Sequence, residues 1–561
     1  MDYSKICDVY EELESTTKGL EKTKILSDFL KNIEKSPEII YLLKGKVFPD
    51  WDSREFGISE QLAIKIISRA SGLKDREIVD EFRELGDLGK VAESIFKKKK
   101  QQTALFSSKL EIDKVIKNLK KIPAIEGRGA VDVKLNFVVE LLHSASPKEA
   151  KFLVRTILGD LKIGVGNGVL RDAITEFCFK PQDIKEKKKY SLIIQEAYDK
   201  TTDFAEVFEK CMNKQLEKIS LSPGKPVKVM LFPKAKDVED AFRIVGRPAA
   251  FEYKYDGFRV MINKDKNGNI KIFTRRLENV TKQFPEIVTY AKTHVNAKNF
   301  IIDAEAVGFD SKTKKYTEFQ SISQRIKRKY GIEEMAKNFP IELEIFDIIY
   351  FNDENIIDKP FSERRKIIEK IVREEPFKIV LAKQIITDNS NEVEKFYQEA
   401  LENNQEGLMA KNLSAIYKPG ARIGFAVKLK PQANDFDLVI TGAEWGTGKR
   451  AGWLTSYDVS CRNDDELFEI GKVSTGLKEL RKEGLSFEEM TEKLKKIIIK
   501  ENGRNVKVKP EIIVTVQYQN IQKSPTYSSG FALRFPRIKN LRPDRGIDDI
   551  ATLDEIEKEA N

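Results

Sequence analysis

The segment Phe251-Glu252-Tyr253-Lys254-Tyr255-Asp256-Gly257-Phe258-Arg259 sets one lysine between two carboxylates, ahead of a glycine turn and an arginine. At its ordinary pKa of about 10.4 a lysine is protonated at neutral pH and cannot attack an electrophile. Burial and neighbouring cations favour the neutral amine. Arg259, Arg275, Arg276, Arg422, Lys428 and Lys430 are candidate cations, and the same groups would stabilise charge on a reacting phosphate. The flanks, 249–255 and 258–263, have strand character. Gly257 is expected to free the turn between them where a phosphate approaches the backbone. The expected chemistry is Lys254 as a nucleophile toward a nucleotide phosphate. Lys-x-Asp-Gly alone is short, and chance matches are common in a long chain.

Later segments add to it. Ile301-Ile302-Asp303-Ala304-Glu305-Ala306-Val307 is a hydrophobic run interrupted by acids, and in a strand Asp303 and Glu305 share a face. Buried carboxylates need partners, which a ribose hydroxyl or a magnesium ion could supply. Leu343-Glu344-Ile345-Phe346-Asp347-Ile348 reads as another strand, whose Phe346 could stack on a purine or simply fill a core. Glu406-Gly407-Leu408-Met409-Ala410-Lys411 places a carboxylate and a lysine around a strand, and Val427-Lys428-Leu429-Lys430 puts two lysines on one strand face. Like charges so placed repel unless an anion lies near both. Taken singly, each charged group reads more readily as a solvated surface residue.

The elements around these segments fall into three textures. Residues 1–218 carry helical spacing, as in Leu26, Phe29, Leu30 and Ile33 or Leu135, Val138, Val139 and Leu142. Ser146-Pro147-Lys148-Glu149 is a capping-box start, and Ser36-Pro37-Glu38 a looser one. Residues 219–433 open on a Ser-Pro-Gly linker and alternate strands with amphipathic helices, near 235–245, 283–295, 318–337, 362–372 and 391–403. Residues 434–561 show several short strands, a helix at 486–500 and a last helix at 548–560, which suits a small oligonucleotide-binding (OB) barrel. The fold class expected is multidomain: an all-α domain, an α+β domain and a C-terminal OB-fold β-barrel.

The 561 residues carry a net charge of +10 with 34% charged side chains, which favours a polyanionic partner. Lys97–Lys100 and 185–189 are basic runs, though most such runs are solvated helix ends. Between Arg155 and Arg171 the chain passes Gly159, Gly164, Gly166 and Gly168, a turn whose amides could meet a DNA phosphate or merely bend the chain. Gly442 to Lys449 looks like a phosphate loop but has five residues between its glycines instead of four. Two histidines leave little room for histidine catalysis, and four widely spaced cysteines give neither a zinc knuckle nor a disulfide framework. A reducing cytoplasm is the default compartment. No apolar run approaches the ~20 residues of a membrane helix.

The ordered set Lys254-x-Asp256-Gly-x-Arg259, Thr274-Arg275-Arg276, Asp303-Ala-Glu305, Phe346-Asp-Ile, Glu406-Gly-x-Met-x-Lys411 and Lys428-Leu-Lys430 resembles the covalent nucleotidyltransferases. Within them it is most similar to the ATP-dependent DNA ligases of archaea and eukaryotes. The resemblance covers nearly the whole chain: the helical front resembles their DNA-binding domain, and Phe531-Ala-Leu-Arg534-Phe535-Pro536-Arg537 their last motif. It implies nick sealing in double-stranded DNA, in replication, repair and recombination, through a lysine–AMP bond on Lys254. It implies adenine contacts from Glu252 and Phe346, ribose and phosphate contacts from Arg259, Arg275 and Glu305, and phosphate contacts from Arg422 and Lys428. Glu305 and Glu406 would hold Mg2+, and Arg534 and Arg537 would orient the leaving pyrophosphate. Asp256, Lys411 and Lys430 belong to the same motifs. ATP and nicked DNA are the implied ligands, a sliding clamp is a further candidate partner, and a monomer is expected. The residues placed do not exclude other divalent cations or relaxed nucleotide use. Thr274 stands where many relatives have serine and keeps the hydroxyl. RNA capping enzymes and RNA ligases share the lysine chemistry but lack such a helical front, and NAD-dependent ligases carry a four-cysteine zinc site. A non-catalytic nucleic-acid scaffold would not need the intact lysine and carboxylate set.

Overall fold

The computed structural model describes the chain except residues 34–35, 53, 101–108, 318, 327, 329, 421–423, 432–433, 465, 480, 482–483 and 561, and the side chains of 99–100 and 320–321. It divides into two compact units, Met1–Lys430 and Pro431–Asn561.

The front of the first unit is helical, from Tyr3–Ser15 to Phe204–Met212, around one apolar core. The capping box forms as its sequence requires. Ser146 Oγ accepts from Glu149 N, and Glu149 Oε2 accepts from Ser146 N at 2.6 Å, starting the helix Pro147–Ile157. Ser36-Pro37-Glu38 gives only the single turn Ile39–Leu42, with no side-chain cap. The glycine turn is real: Gly159 and Gly164 have φ of 72° and 65°, and Gly166 caps Asn167–Phe179. Arg155 does not serve it. That guanidinium is 2% exposed and pairs with Asp87 and Glu14, each at 3.0 Å, so it ties helices together inside the protein and is not offered to a phosphate. Burial works against both acids, but their pairing more than offsets it and holds Glu14 and Asp87 below the usual carboxylate range.

The remainder of this unit contains two antiparallel-rich sheets. A four-stranded sheet runs in the order Ala426–Leu429, Gly407–Asn412, Ala249–Lys254, Gln384–Thr387. A larger sheet has Ile270–Thr274, Phe258–Lys264, Phe300–Phe309 and Ile341–Phe351 side by side. Alternation assigns the faces. Phe251, Tyr253, Leu408, Ala410, Val427 and Leu429 enter an apolar core with the helix Val238–Val245. Glu252, Lys254, Lys411 and Lys428 point the other way. In the larger sheet Val260, Ile262, Ile302, Ala304 and Ala306 fill a second core, leaving Arg259, Asp303 and Glu305 on the opposite face.

In this unit the expected strands are present within a residue or two of their sequence bounds, whereas two in the second unit run longer than expected, Asn434–Trp445 and Leu454–Asn463. The helix expected at 318–337 is instead two, Phe319–Ile326 and Ile332–Asn338, the second started by Gly331 at φ 64°. The edge strand Gln384–Thr387, too short and polar to show periodicity, was not foreseen.

In the second unit Asn434–Trp445 pairs with Leu454–Asn463 and Ile513–Tyr518. Leu454–Asn463 pairs on with Glu466–Val473, and Ile513–Tyr518 with Arg537–Leu541. Ile538 N then donates to Thr475 O at 3.0 Å, just past the third strand, so the ring of five strands closes. The helix Phe487–Lys495 lies between the third and fourth of them in sequence. That order is an OB-type barrel. Glycine-rich Gly442–Lys449 is no phosphate loop: Gly442 is inside the first strand, where a Cβ would lie 2.5 Å from Asp458 Oδ2.

Candidate active site

Lys254 ends its strand on the polar face of the smaller sheet, and its Nζ lies 2.5 Å from Glu406 Oε2. Backbone pairing brings the two together, since Glu406 N donates to Lys254 O at 2.8 Å. Lys430 pairs with the same carboxylate. Burial works against charge on Glu406, but Lys254 and Lys430 outweigh it and hold this carboxyl well below its ordinary value.

Lys428 is one strand across from Met409, on the face of Lys254. Burial, then the positive charges of Lys254, Arg275 and Lys430, push its ammonium down to about 8, with Glu406 opposing. Arg275 itself is exposed. From the larger sheet comes Glu305, whose carboxyl burial pushes up to about 8 against the pull of Lys254 and Arg259, with Glu406 and Asp303 adding to the rise. The site thus sets Lys254, Arg275 and Lys430 around Lys428, with Glu406 and Glu305 nearby.

Glu252 is 2% exposed. Its Oε1 accepts from Gln384 Nε2 at 2.8 Å, and its Oε2 pairs with Lys411 Nζ at 2.5 Å. Lys411 Nζ also lies 4.9 Å from the centroid of Phe346, and the Arg259 guanidinium 5.3 Å from it. Phe346 owes its aim to a β-bulge: Asp303 pairs with Asp347 and Ala304 with Ile345, so Phe346 has no partner in the ladder. Arg259 is gripped by the fully buried Asp303, Nε to Oδ1 at 2.7 Å and Nη2 to Oδ2, with Tyr417 OH at 3.1 Å. Asp256, 5% exposed, accepts from Phe319 N at 3.3 Å, and its own N–H donates to Gln405 Oε1 at 3.1 Å.

Gly257 does something other than expected. Its φ is not left-handed; a Cβ there would sit 2.4 Å from Ala306 O and 3.0 Å from Glu305 Cγ. Glycine is required so that the turn after Lys254 can press against the strand that carries Glu305.

Lys254, Glu252, Lys411, Lys428, Lys430, Glu406, Arg259, Glu305 and Phe346 are thus brought together, with Asp256 behind them and Arg275 at the rim. Arg422 lies outside the described residues. Arg534 and Arg537 are in the second unit. Arg534 is half-buried with its guanidinium 5.3 Å from the Phe535 ring, and Arg537 is exposed. Gln384, Arg365, Met409 and Tyr417 were missed; only Met409 sits inside a motif, and nothing in the sequence pairs the others with their acids.

Three family models match the chain in order: DNA ligase N terminus over residues 2–175, ATP dependent DNA ligase domain over 229–430, and ATP dependent DNA ligase C terminal region over 450–545. The DNA ligase of Nanoarchaeum equitans is 44% identical, with 100% of this chain and 98% of that protein covered. The DNA ligase of Thermococcus fumicolans is 42% identical, with 99% and 98% covered. The chain belongs to the ATP-dependent DNA ligases. The fold of this ligase is also that of the solved structure Pmar-Lig_PreS3, at a TM-score of 0.54 and 17% identity over 96% of this chain and 99% of that one. The ligase therefore has a helical N-terminal region, a central adenylation domain and a β-rich C-terminal domain. Its substrates are ATP and nicked DNA. Among the described residues no helix is long and apolar enough to cross a membrane.

Proposed function

We propose that Lys254 is the residue that takes AMP from ATP. The Lys254 ammonium, paired with Glu406 here, gives up a proton; its nitrogen attacks the α-phosphorus and loses a second proton, so that a phosphorus–nitrogen bond forms as the α-phosphorus–oxygen bond to pyrophosphate breaks. AMP passes to the 5′-phosphate of a nick, and the 3′-hydroxyl attacks that phosphate, closing the backbone and freeing AMP. The observation that carries this reading is the crowding of Lys254, Lys428, Lys430 and Arg275, a charge pattern that an incoming polyphosphate relieves. Glu252 and Phe346 hold adenine, Lys411 fixes Glu252, and Asp256 anchors the turn after the nucleophile. Arg259, Arg275 and Glu305 face the ribose and α-phosphate, and Lys428, Lys430 and Arg422 the phosphates. Arg534 and Arg537 orient pyrophosphate.

Magnesium suits the donor set. Burial, with a smaller push from the charge of Glu406, raises the Glu305 carboxyl, so Glu305 would gain from a positive charge beside it. Mg2+ characteristically takes one or two carboxylates together with substrate phosphates. Glu305 and Glu406 would hold it, and it would offset phosphate charge during transfer. Among the described residues no group of three or more His, Cys, Asp or Glu could form an all-protein cage.

The helical region, residues 1–218, grips duplex DNA, residues 219–433 carry the chemistry, and residues 434–561 are an OB-type DNA-binding domain. The ligase acts as a cytoplasmic monomer in replication, repair and recombination, with a sliding clamp as a candidate partner.

Incubation with [α-32P]ATP and Mg2+ tests the assignment. The expected result is an acid-labile AMP adduct on the wild type and none on Lys254→Ala, which also fails to seal nicks. Labelling of the alanine variant would overturn it. Parallel sealing reactions with ADP, GTP and NAD define nucleotide choice.

A further inference from the structure

Glu252 is held from three directions inside the protein. Besides the bonds from Gln384 and Lys411, Arg365 Nη1 stands 3.7 Å from its Oε1. Arg365 is committed elsewhere through its other nitrogens, to Glu369 Oε1 at 3.0 Å and Ala382 O at 3.1 Å, and Nη1 makes no hydrogen bond. Gln384 lies directly across the ladder from Glu252, on the same face, at the sheet's edge. Lys411 and Arg365 place positive charge beside this buried carboxylate, but an ion pair fixes direction weakly. The amide of Gln384 supplies the direction, with one N–H on one oxygen at 2.8 Å.

Direction matters for what the carboxylate can read. A 6-aminopurine offers an N–H donor at C6, whereas a 6-oxopurine offers a carbonyl acceptor there and an N–H at N1. An ionised carboxylate with its free lone pairs aimed at C6 accepts from the first and repels the second. We propose that Gln384 is a positioning residue that sets purine specificity: by fixing Glu252 it makes the site select 6-aminopurine over 6-oxopurine nucleotides. The inference rests on Glu252 as the base contact proposed above. A carboxylate released from Gln384 can swing toward Lys411 and Arg365 and lose its aim, while Lys254 and the phosphate site are untouched.

The test uses the full-length ligase, single-turnover adduct formation, and [α-32P]ATP against [α-32P]ITP, which differ only at C6 and N1 of the base. The wild type should label much faster with ATP. Gln384→Ala should narrow the ATP-to-ITP ratio by about tenfold through weaker apparent ATP binding, with the maximal ATP rate within about twofold of wild type. Gln384→Glu provides conservative rescue. Near pH 6 a protonated glutamate donates to Glu252 as the amide does, and the ratio is high; near pH 8 two carboxylates repel and the ratio falls, by about tenfold. Ratios in both variants equal to wild type at either pH would overturn the proposal. Should the alanine variant melt early, the pH response of the glutamate variant decides alone, and a flat response at the wild-type ratio overturns it. A wild type that forms no adduct with ATP would refute the nucleophile itself, a distinct outcome.

Discussion

At the scale of single residues, burial shifts two charged groups of the site in opposite directions. Lys428 and Glu305 both titrate near 8 for opposite reasons: burial among cations disfavours an ammonium, and burial with two other acids disfavours a carboxylate. As pH rises through 8, Lys428 loses a positive charge and Glu305 gains a negative one, and both changes remove attraction for a triphosphate. In the absence of Mg2+, which an ionised Glu305 would otherwise help to hold, affinity for an unreactive ATP analogue is therefore expected to be highest below 8 and to weaken above it, by at most roughly tenfold per pH unit for each group. Calorimetric titration across that range checks it. Lys428→Arg, whose charge does not titrate, should flatten part of the fall; an unchanged slope would show that Lys428 does not meet the nucleotide. Such values follow from folding, since they need Arg275, Lys254 and Lys430 at one spot. The sequence offers the residue types at the spacings that the fold then brings together for Lys254, Glu406 and Lys430. It could not offer Gln384 or Arg365, whose roles exist only across a strand pair or from a helix packed beneath.

Elements decide how tightly the residues are brought together. The turn after Lys254 and the strand Phe300–Phe309 approach so closely that only glycine fits at position 257. Gly257→Ala must move Ala306 or the turn, and the obstacle is backbone, which yields poorly. We expect a loss of about 1–3 kcal/mol in stability, read as a lowered melting temperature, and a larger proportional loss in adduct formation, because Lys254 and Glu305 are displaced relative to each other. An alanine variant that folds and labels normally would show that this close approach has no part in catalysis. The strands themselves were readable because their apolar residues alternate or run together, and helices because caps such as Ser146 to Glu149 punctuate them. The bulge that frees Phe346 was not readable, since it is a mismatch between two strands 40 residues apart in sequence. The same limit applies to Arg155: nothing in its own segment shows that Asp87 and Glu14, distant in sequence, pair with it inside the protein.

On the scale of the whole molecule, the chain forms two separately compact units, and a role proposed for the second can be tested one reaction step at a time. The barrel of Pro431–Asn561 has its own core and closes through Ile538 and Thr475. Its last motif exposes Phe535, 68% accessible and at φ 54°, between Arg534 and Arg537. An arginine pair presented beside a conformation that costs about 1–3 kcal/mol is a surface shaped for contact more than for stability. If these arginines orient pyrophosphate, they are needed only while Lys254 is being loaded. Arg534→Ala should slow formation of the AMP adduct by roughly 10²-fold, the usual cost of one lost donor to a developing charge. The same variant should seal a nick that already bears AMP on its 5′-phosphate at a rate within about twofold of wild type, because no pyrophosphate leaves in that step. Comparing the two rates on one preparation separates this role from general DNA binding, which would depress both and do so more steeply at high salt.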